Sequence, residues 1–333
     1  MHQKIRCLNI CLLMAGIAAV IALPTAAWAH GVVGKRWFPT TIVVEDSFVS
    51  DETNIKIDHI RSDHALETGL EMHLSKRLSP DWAIGVGAHR EIIRPRGGAH
   101  HDEHEEEGHH EGSTETEHGW SNPELEVRYQ FLRNPTRELA ATAALGVSPG
   151  KVGDRNVGRL PGTTISPAIQ IGKGFGDLPD WADWFKPVAV TTSLGFDLRT
   201  ERNNKEEDVH HASQHAFAWG VGVMYSIPYL QSFVKDVGLP WPLSRLFPLV
   251  EFNGETLISG SNKGTHTAYA SPGLVWAGKY FELAVSAKIP LNNTSGDSVG
   301  VLGMVHFFLD DIAPNVFSWT PFHGVLGPQA LPR

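Results

Sequence analysis

From residue 53 to 309 the chain alternates apolar and polar side chains with a period of two, in segments longer than most soluble strands. In 66–74, Leu66, Leu70, Met72 and Leu74 share one face, and Glu67, Glu71 and His73 share the other. In 82–91, Trp82, Ile84, Val86 and Ala88 oppose Gly85, Gly87, His89 and Glu91. In 124–131, Leu125, Val127, Tyr129 and Phe131 oppose Glu124, Glu126, Arg128 and Gln130. In 281–289, Phe281, Leu283, Val285, Ala287 and Ile289 oppose Glu282, Ser286 and Lys288. Twelve such segments are predicted, at about 53–60, 65–76, 82–94, 121–133, 138–149, 163–175, 187–200, 213–227, 246–259, 265–276, 279–290 and 297–309. A strand crosses a bilayer in about 9–11 residues. The pattern therefore predicts an all-β fold: a transmembrane antiparallel up-and-down β-barrel of about 12 strands, with both termini periplasmic.

The connections support this reading. One set is tight, as at Arg77–Asp81, Asn134–Arg137 and Gly278. The other holds 95–120, 150–162 and 201–212. Short periplasmic turns and longer outer loops are the outer-membrane pattern. Two periplasmic connections, 176–186 and 228–245, are long and rich in Pro and Trp, as suits an interface. A secreted β-sandwich or propeller would also alternate, but with its polar face outward. After residue 29 no window approaches 18 consecutive apolar residues, so no helix is expected to cross a membrane.

The ends divide the chain further. Residues 1–29 read as a signal peptide, with Lys4 and Arg6 before the apolar run Cys11–Leu23 and a small-x-small site at Ala27-Trp28-Ala29. Residues 30–52 are expected to fold into or below the barrel, 53–309 to form it, and 310–333 to be a periplasmic tail. Cys7 and Cys11 both fall in the leader, so stability must come from something other than disulfides. The 28 basic residues, less two in the leader, leave 26 against 37 acidic ones, a net −11. That balance argues against nucleic acid and suits cations.

Aromatic residues gather near the predicted periplasmic rim: Trp82, Phe131, Phe175, Tyr225, Tyr229, Trp276, Tyr280 and Phe307. They are expected to form an interfacial girdle. The last strand ends Val305-His306-Phe307-Phe308, with 310–333 following. Two runs complete the pattern: Ser271-Pro272-Gly273-Leu274-Val275-Trp276, and Phe281 through Ile289-Pro290-Leu291. Together they resemble the final hairpin of bacterial outer-membrane proteins named for the phenol-degradation meta-pathway. That family is regarded as porin-like or transporter-like, and the resemblance implies aromatic substrates. The His-rich stretch described next is not part of the family pattern.

Residues 99–119 hold six histidines and eight carboxylates with no Lys or Arg. Imidazole and carboxylate are ligands for divalent transition metals. Strand threading places this loop outside. The metal candidates are His100, His101, His104, His109, His110, His118, Glu103 and Glu105, joined from a second outer loop by His210, His211 and His215. The same threading puts His59, His64 and His266 at that rim, so it gathers twelve of the seventeen histidines after His2. The expected occupants are Zn, Ni or Cu ions held loosely, with no tightly bound cofactor. The polar strand faces would line the lumen with Glu67, Glu71, Glu91, Glu124, Glu126, Glu251, Glu255 and Glu282, and with the bases Arg128 and Lys288. Inward carboxylates lower the barrier for cations. Lumenal His73, His89 and His306 are expected to pack or hydrogen-bond.

No Gly-x-Ser-x-Gly, His-Glu-x-x-His or phosphate loop is present, and no catalytic residue is assigned. The sequence predicts an outer-membrane channel or transporter for small solutes, chiefly cations, with a metal-concentrating outer loop. Its partners would be outer-membrane lipid and small solutes or divalent metal ions. One alternative is a surface metal-binding or structural barrel without transport. Another is a periplasmic copper protein using His30 as a new N-terminus.

Overall fold

A computed structural model describes residues 31–61, 65–95, 115–157, 160–200 and 214–322. Residues 1–29, read from the sequence as a signal peptide, His30 and most of the His-rich stretch lie outside the described residues.

The described chain starts with two short paired strands, β1 (Val32–Val33) and β2 (Arg36–Trp37). The wall follows: β3 (Glu52–Arg61), β4 (Ala65–Arg77), β5 (Trp82–Pro95), β6 (Glu117–Trp120), β7 (Glu124–Asn134), β8 (Leu139–Ser148) and β9 (Thr164–Gly174). It continues through β10 (Val188–Arg199), β11 (Ala216–Tyr225), β12 (Leu246–Leu257), β13 (His266–Ala277), β14 (Phe281–Pro290) and β15 (Gly300–Phe308). Every neighbour pairs antiparallel, and β15 closes on β3. The result is a closed barrel of twelve crossings, as alternation predicts, because β6 and β7 share one crossing. Closure leaves only the short β6 paired on one side, close to the condition for a sheet to live in lipid.

Two irregularities break the simple pattern. The crossing expected at 121–133 is split, with β6 pairing the distal half of β5 and β7 the proximal half. Proximal here means the end at which β3 begins and β15 finishes. Pro123 cannot donate to a ladder. Asn122 instead accepts from the amides of Val152 and Gly153 and donates to the carbonyl of Leu160. The second irregularity is a bulge between Gln130 and Leu132. The phase shifts, Phe131 and Leu132 are both exposed, and Arg133, exposed as well, donates to the carbonyl of Val32 at 2.6 Å.

The outer wall is apolar. Ile55, Leu74, Val86, Val127, Ile169, Leu194, Val223 and Val285 are all large and exposed. A water-soluble barrel would hide these residues; a lipid-facing one presents them. Rings mark the proximal rim: Trp82 stacks on Tyr129 at 4.6 Å, and Trp276, Phe281 and Phe307 form a chain of contacts. Tyr229, expected in this girdle, is instead buried against the plug described next.

Residues 31–51 lie inside the barrel. Val33, Phe38, Ile42 and Phe48 are buried in one cluster with inward wall residues Ala140, Ala189, Met224, Phe247, Leu249, Val275 and Met304. All these wall positions lie toward the proximal strand ends, so the plug fills that half. Burial of its apolar side chains drives its entry, at about 25 cal/mol per Å² removed from water. Glycines make room for it. At Gly220 a Cβ would sit 3.0 Å from a Val44 methyl, and at Gly172 2.8 Å from the hydroxyl of Ser47.

Candidate lumenal site

The plug runs past the wall with backbone amides that no strand pairs, and inward carboxylates satisfy them. Glu251 on β12 accepts from the amides of Ile42 at 3.2 Å, Val43 at 3.0 Å and Val44 at 2.8 Å. Glu282 on β14 accepts from the amide of Thr40 at 2.9 Å. Both glutamates are fully buried. They face inward as expected, but the plug covers them, so they hold backbone rather than line water. On the other side Arg128 donates to the carbonyl of Asp46 and to Gln170, and Gln130 and Thr142 donate to the carbonyl of Ser47.

The plug's first turn is anchored at the proximal rim by Arg36, which has no exposed surface. Its guanidinium meets Glu138 at 3.1 Å, donates to the carbonyls of Lys186 and Pro187, and lies 3.9 Å from the Tyr229 ring centre. Burial beside Glu138 pushes the Tyr229 phenol up to about 12, so it stays a neutral donor. The backbone of Glu138 takes a positive φ of 46°, which aims its carboxylate back at Arg36 and at the amide of Gly176.

Above the plug the lumen is acidic. A cavity of about 110 Å³ is lined by Glu45, Asp46, Glu52, Glu71, Glu124 and Glu126, with Lys56, Arg128 and His73. Lys56 bridges Glu71 at 3.2 Å and Glu45 at 3.7 Å. His73 approaches Glu126 at 3.6 Å. Six carboxylates face two permanent cations there. A cavity of about 270 Å³ continues past His73, His89, Glu71 and Glu124 toward Ser121 and Ser148. A third, of about 450 Å³, lies across the lumen and includes Glu255.

The remaining predicted positions fall as follows. Glu91 pairs with His89 at 3.5 Å, and Glu67 is exposed on β4 near the distal rim. Lys288 sits 4.6 Å from the Tyr269 ring centre. His306 is buried near Glu52 at 3.5 Å and against Phe308. Of the metal candidates, His118 is exposed on β6, and Nδ1 of His215 accepts from the amide of Arg199 at 3.1 Å. His100, His101, Glu103, His104, Glu105, His109, His110, His210 and His211 lie outside the described residues. Among the described residues, no three His, Cys, Asp or Glu side chains gather in a metal-binding arrangement. Lys56, also central to the interior, falls in the alternating segment 53–60, but Arg36, Glu45 and Asp46 carry no periodic signal in 30–52. Asp197 does: it continues the inward face Thr191, Ser193, Gly195.

No family model matches the chain, and no curated protein matches it by sequence. Solved structures do match. An outer membrane channel from Pseudomonas putida F1 superposes with a TM-score of 0.50 at 9% identity, covering 81% of this chain and 99% of that one. The NanC porin gives a TM-score of 0.45 at 9% identity, over 77% and 98%. The KdgM porin gives 0.39 at 10%, over 76% and 98%. At such identities the likeness concerns fold alone, and it agrees with the closed wall and its lipid-facing side chains. The same wall removes the soluble periplasmic reading. By its fold, this chain is a twelve-stranded β-barrel of the outer membrane.

Proposed function

We propose that the protein is a narrow outer-membrane channel for small solutes that favours cations, with the His/Glu-rich stretch 99–119 concentrating divalent metal at its outer mouth. One observation carries the first part: the plug leaves space beside and beyond its tip, and that space is bordered by an excess of carboxylates. Distal here is outside the cell, because both termini would sit in the periplasm. Among the described residues no nucleophile system accompanies these acids, and the role proposed for them is electrostatic. The resemblance of 271–291 to the phenol meta-pathway proteins would add aromatic solutes to the candidates.

The test is single-channel recording of the refolded protein across a salt gradient. Wild type should show a reversal potential toward that of the cation. Glu67→Gln, Glu71→Gln and Glu126→Gln together keep size and remove charge, and should move it toward zero. An unchanged selectivity in a conducting barrel overturns the lumenal role of these three. No current at all would favour the alternative, a structural barrel, for which the clamped plug speaks.

The metal part has its own test. Calorimetric titration with Zn²⁺ or Ni²⁺ should show more than one weak site in wild type, lost in a variant lacking 100–118. Binding should fade as pH falls through about 6.5, where imidazole takes up a proton and ceases to be a ligand. A deletion that binds metal as well as wild type would leave the histidines as solvating residues.

A further inference from the structure

The cavity of about 450 Å³ in the distal lumen has two unlike sides. Along β9, β10 and β11 its inward residues are Ser166, Ala168, Ser193, Gly195, Ala218 and Gly220. None is larger than Ser, so six positions on three strands make a smooth shelf. The plug tip, Val43 and Val44, closes its base. Facing the shelf are Asn253, Glu255 and Tyr269, with Asp197 and the plug's Glu45 at its edges. Among the described residues no Lys, Arg or His lines the cavity. Arg199 lies two residues beyond Asp197 toward the mouth, and Lys288 sits over the Tyr269 ring.

We infer that this cavity binds a small organic cation: a protonated amine on a flat or slender apolar body. The inference rests on reading the lumen as a solute path and names its solute class. Each part of the lining selects one part of such a molecule. Asp197, Glu255 and Glu45 attract the ammonium, and the shelf receives the body where any larger side chain would block it. A volume of about 450 Å³ falls within the range of small-molecule sites, roughly 300–1,000 Å³. A bare metal ion fits poorly, because the carboxylates are spread around the cavity and do not converge on a point.

The experiment uses the full chain purified in detergent, titrated calorimetrically with 2-phenylethylammonium. Saturable binding is expected, with none for 3-phenylpropanoate, which has a similar body and opposite charge. Methylammonium, which lacks the body, should bind at least tenfold more weakly. Asp197→Asn with Glu255→Gln should weaken binding by about tenfold or more. Ala218→Leu, which leaves every charge in place, should abolish binding by filling the shelf, and it stands as the test if the double variant fails to fold. Absence of saturable binding by wild type overturns the inference, as does equal binding of the anion or an affinity unchanged in Ala218→Leu. Bilayer recording runs in parallel. A conducting barrel that binds no amine refutes this site alone, and a barrel that binds amine but never conducts refutes the channel alone.

Discussion

A single carboxylate decides how firmly the plug sits. Glu251 takes three consecutive plug amides, Ile42, Val43 and Val44, from a position with no water around it. Hydrogen bonds to a charged group contribute about 1.5–3 kcal/mol each, and buried amides without partners are costly. Glu251→Gln keeps the shape but offers one neutral oxygen and turns an NH₂ toward donors. The three amides should then exchange with deuterium roughly ten- to a hundredfold faster, while the β12 ladder stays protected. Unaltered exchange at 42–44 would show that apolar packing alone holds the plug. Alternation correctly marks Glu251 as an inward residue. It is silent on the partner, because the amides lie some two hundred residues away and belong to a segment without period.

At the scale of elements, the wall was legible and the plug was not, for one reason. A strand between lipid and lumen must alternate, so β3 to β15 announce themselves locally. The plug is ringed by wall strands rather than set between two solvents, and it buries Val33, Phe38, Ile42 and Phe48 in no fixed rhythm. The bulge at Phe131 and the break at Ser121–Pro123 escape notice too, because two adjacent outward residues or a side-chain-capped gap look like continued alternation. The plug's position can be fixed covalently. A Cβ on Gly220 would lie 3.5 Å from that of Val44, within the span a disulfide bridges. The only natural cysteines are Cys7 and Cys11, so a Val44→Cys, Gly220→Cys pair has no competing partner among the described residues. It should oxidise on export. Oxidised protein should conduct less, with fewer transient openings, and dithiothreitol should restore the wild-type trace. Equal conductance before and after reduction would mean the plug tip does not limit the current.

The whole molecule is defined by two surfaces of opposite character, an apolar belt outside and an acidic lumen inside, separated by one layer of backbone. That arrangement makes the cost of a charge depend on which face and depth it meets. On β9, Ile165, Ile169 and Ile171 share the outer face, and Ile169 stands at the middle of the strand. An arginine at the bilayer midplane of a barrel costs about 2–4 kcal/mol, and near an interface about 0–1. Ile169→Arg should therefore lose about 2–4 kcal/mol in equilibrium refolding into phospholipid vesicles. Ile165→Arg, near the distal end of the same strand, should lose at most about 1 kcal/mol, since its guanidinium can reach the headgroups. The difference should shrink when both variants are refolded into detergent micelles, whose apolar layer is thinner and deformable. Equal losses at the two positions in vesicles would mean that depth in a bilayer is not what this face senses, and the membrane-spanning assignment of β9 would fail with it.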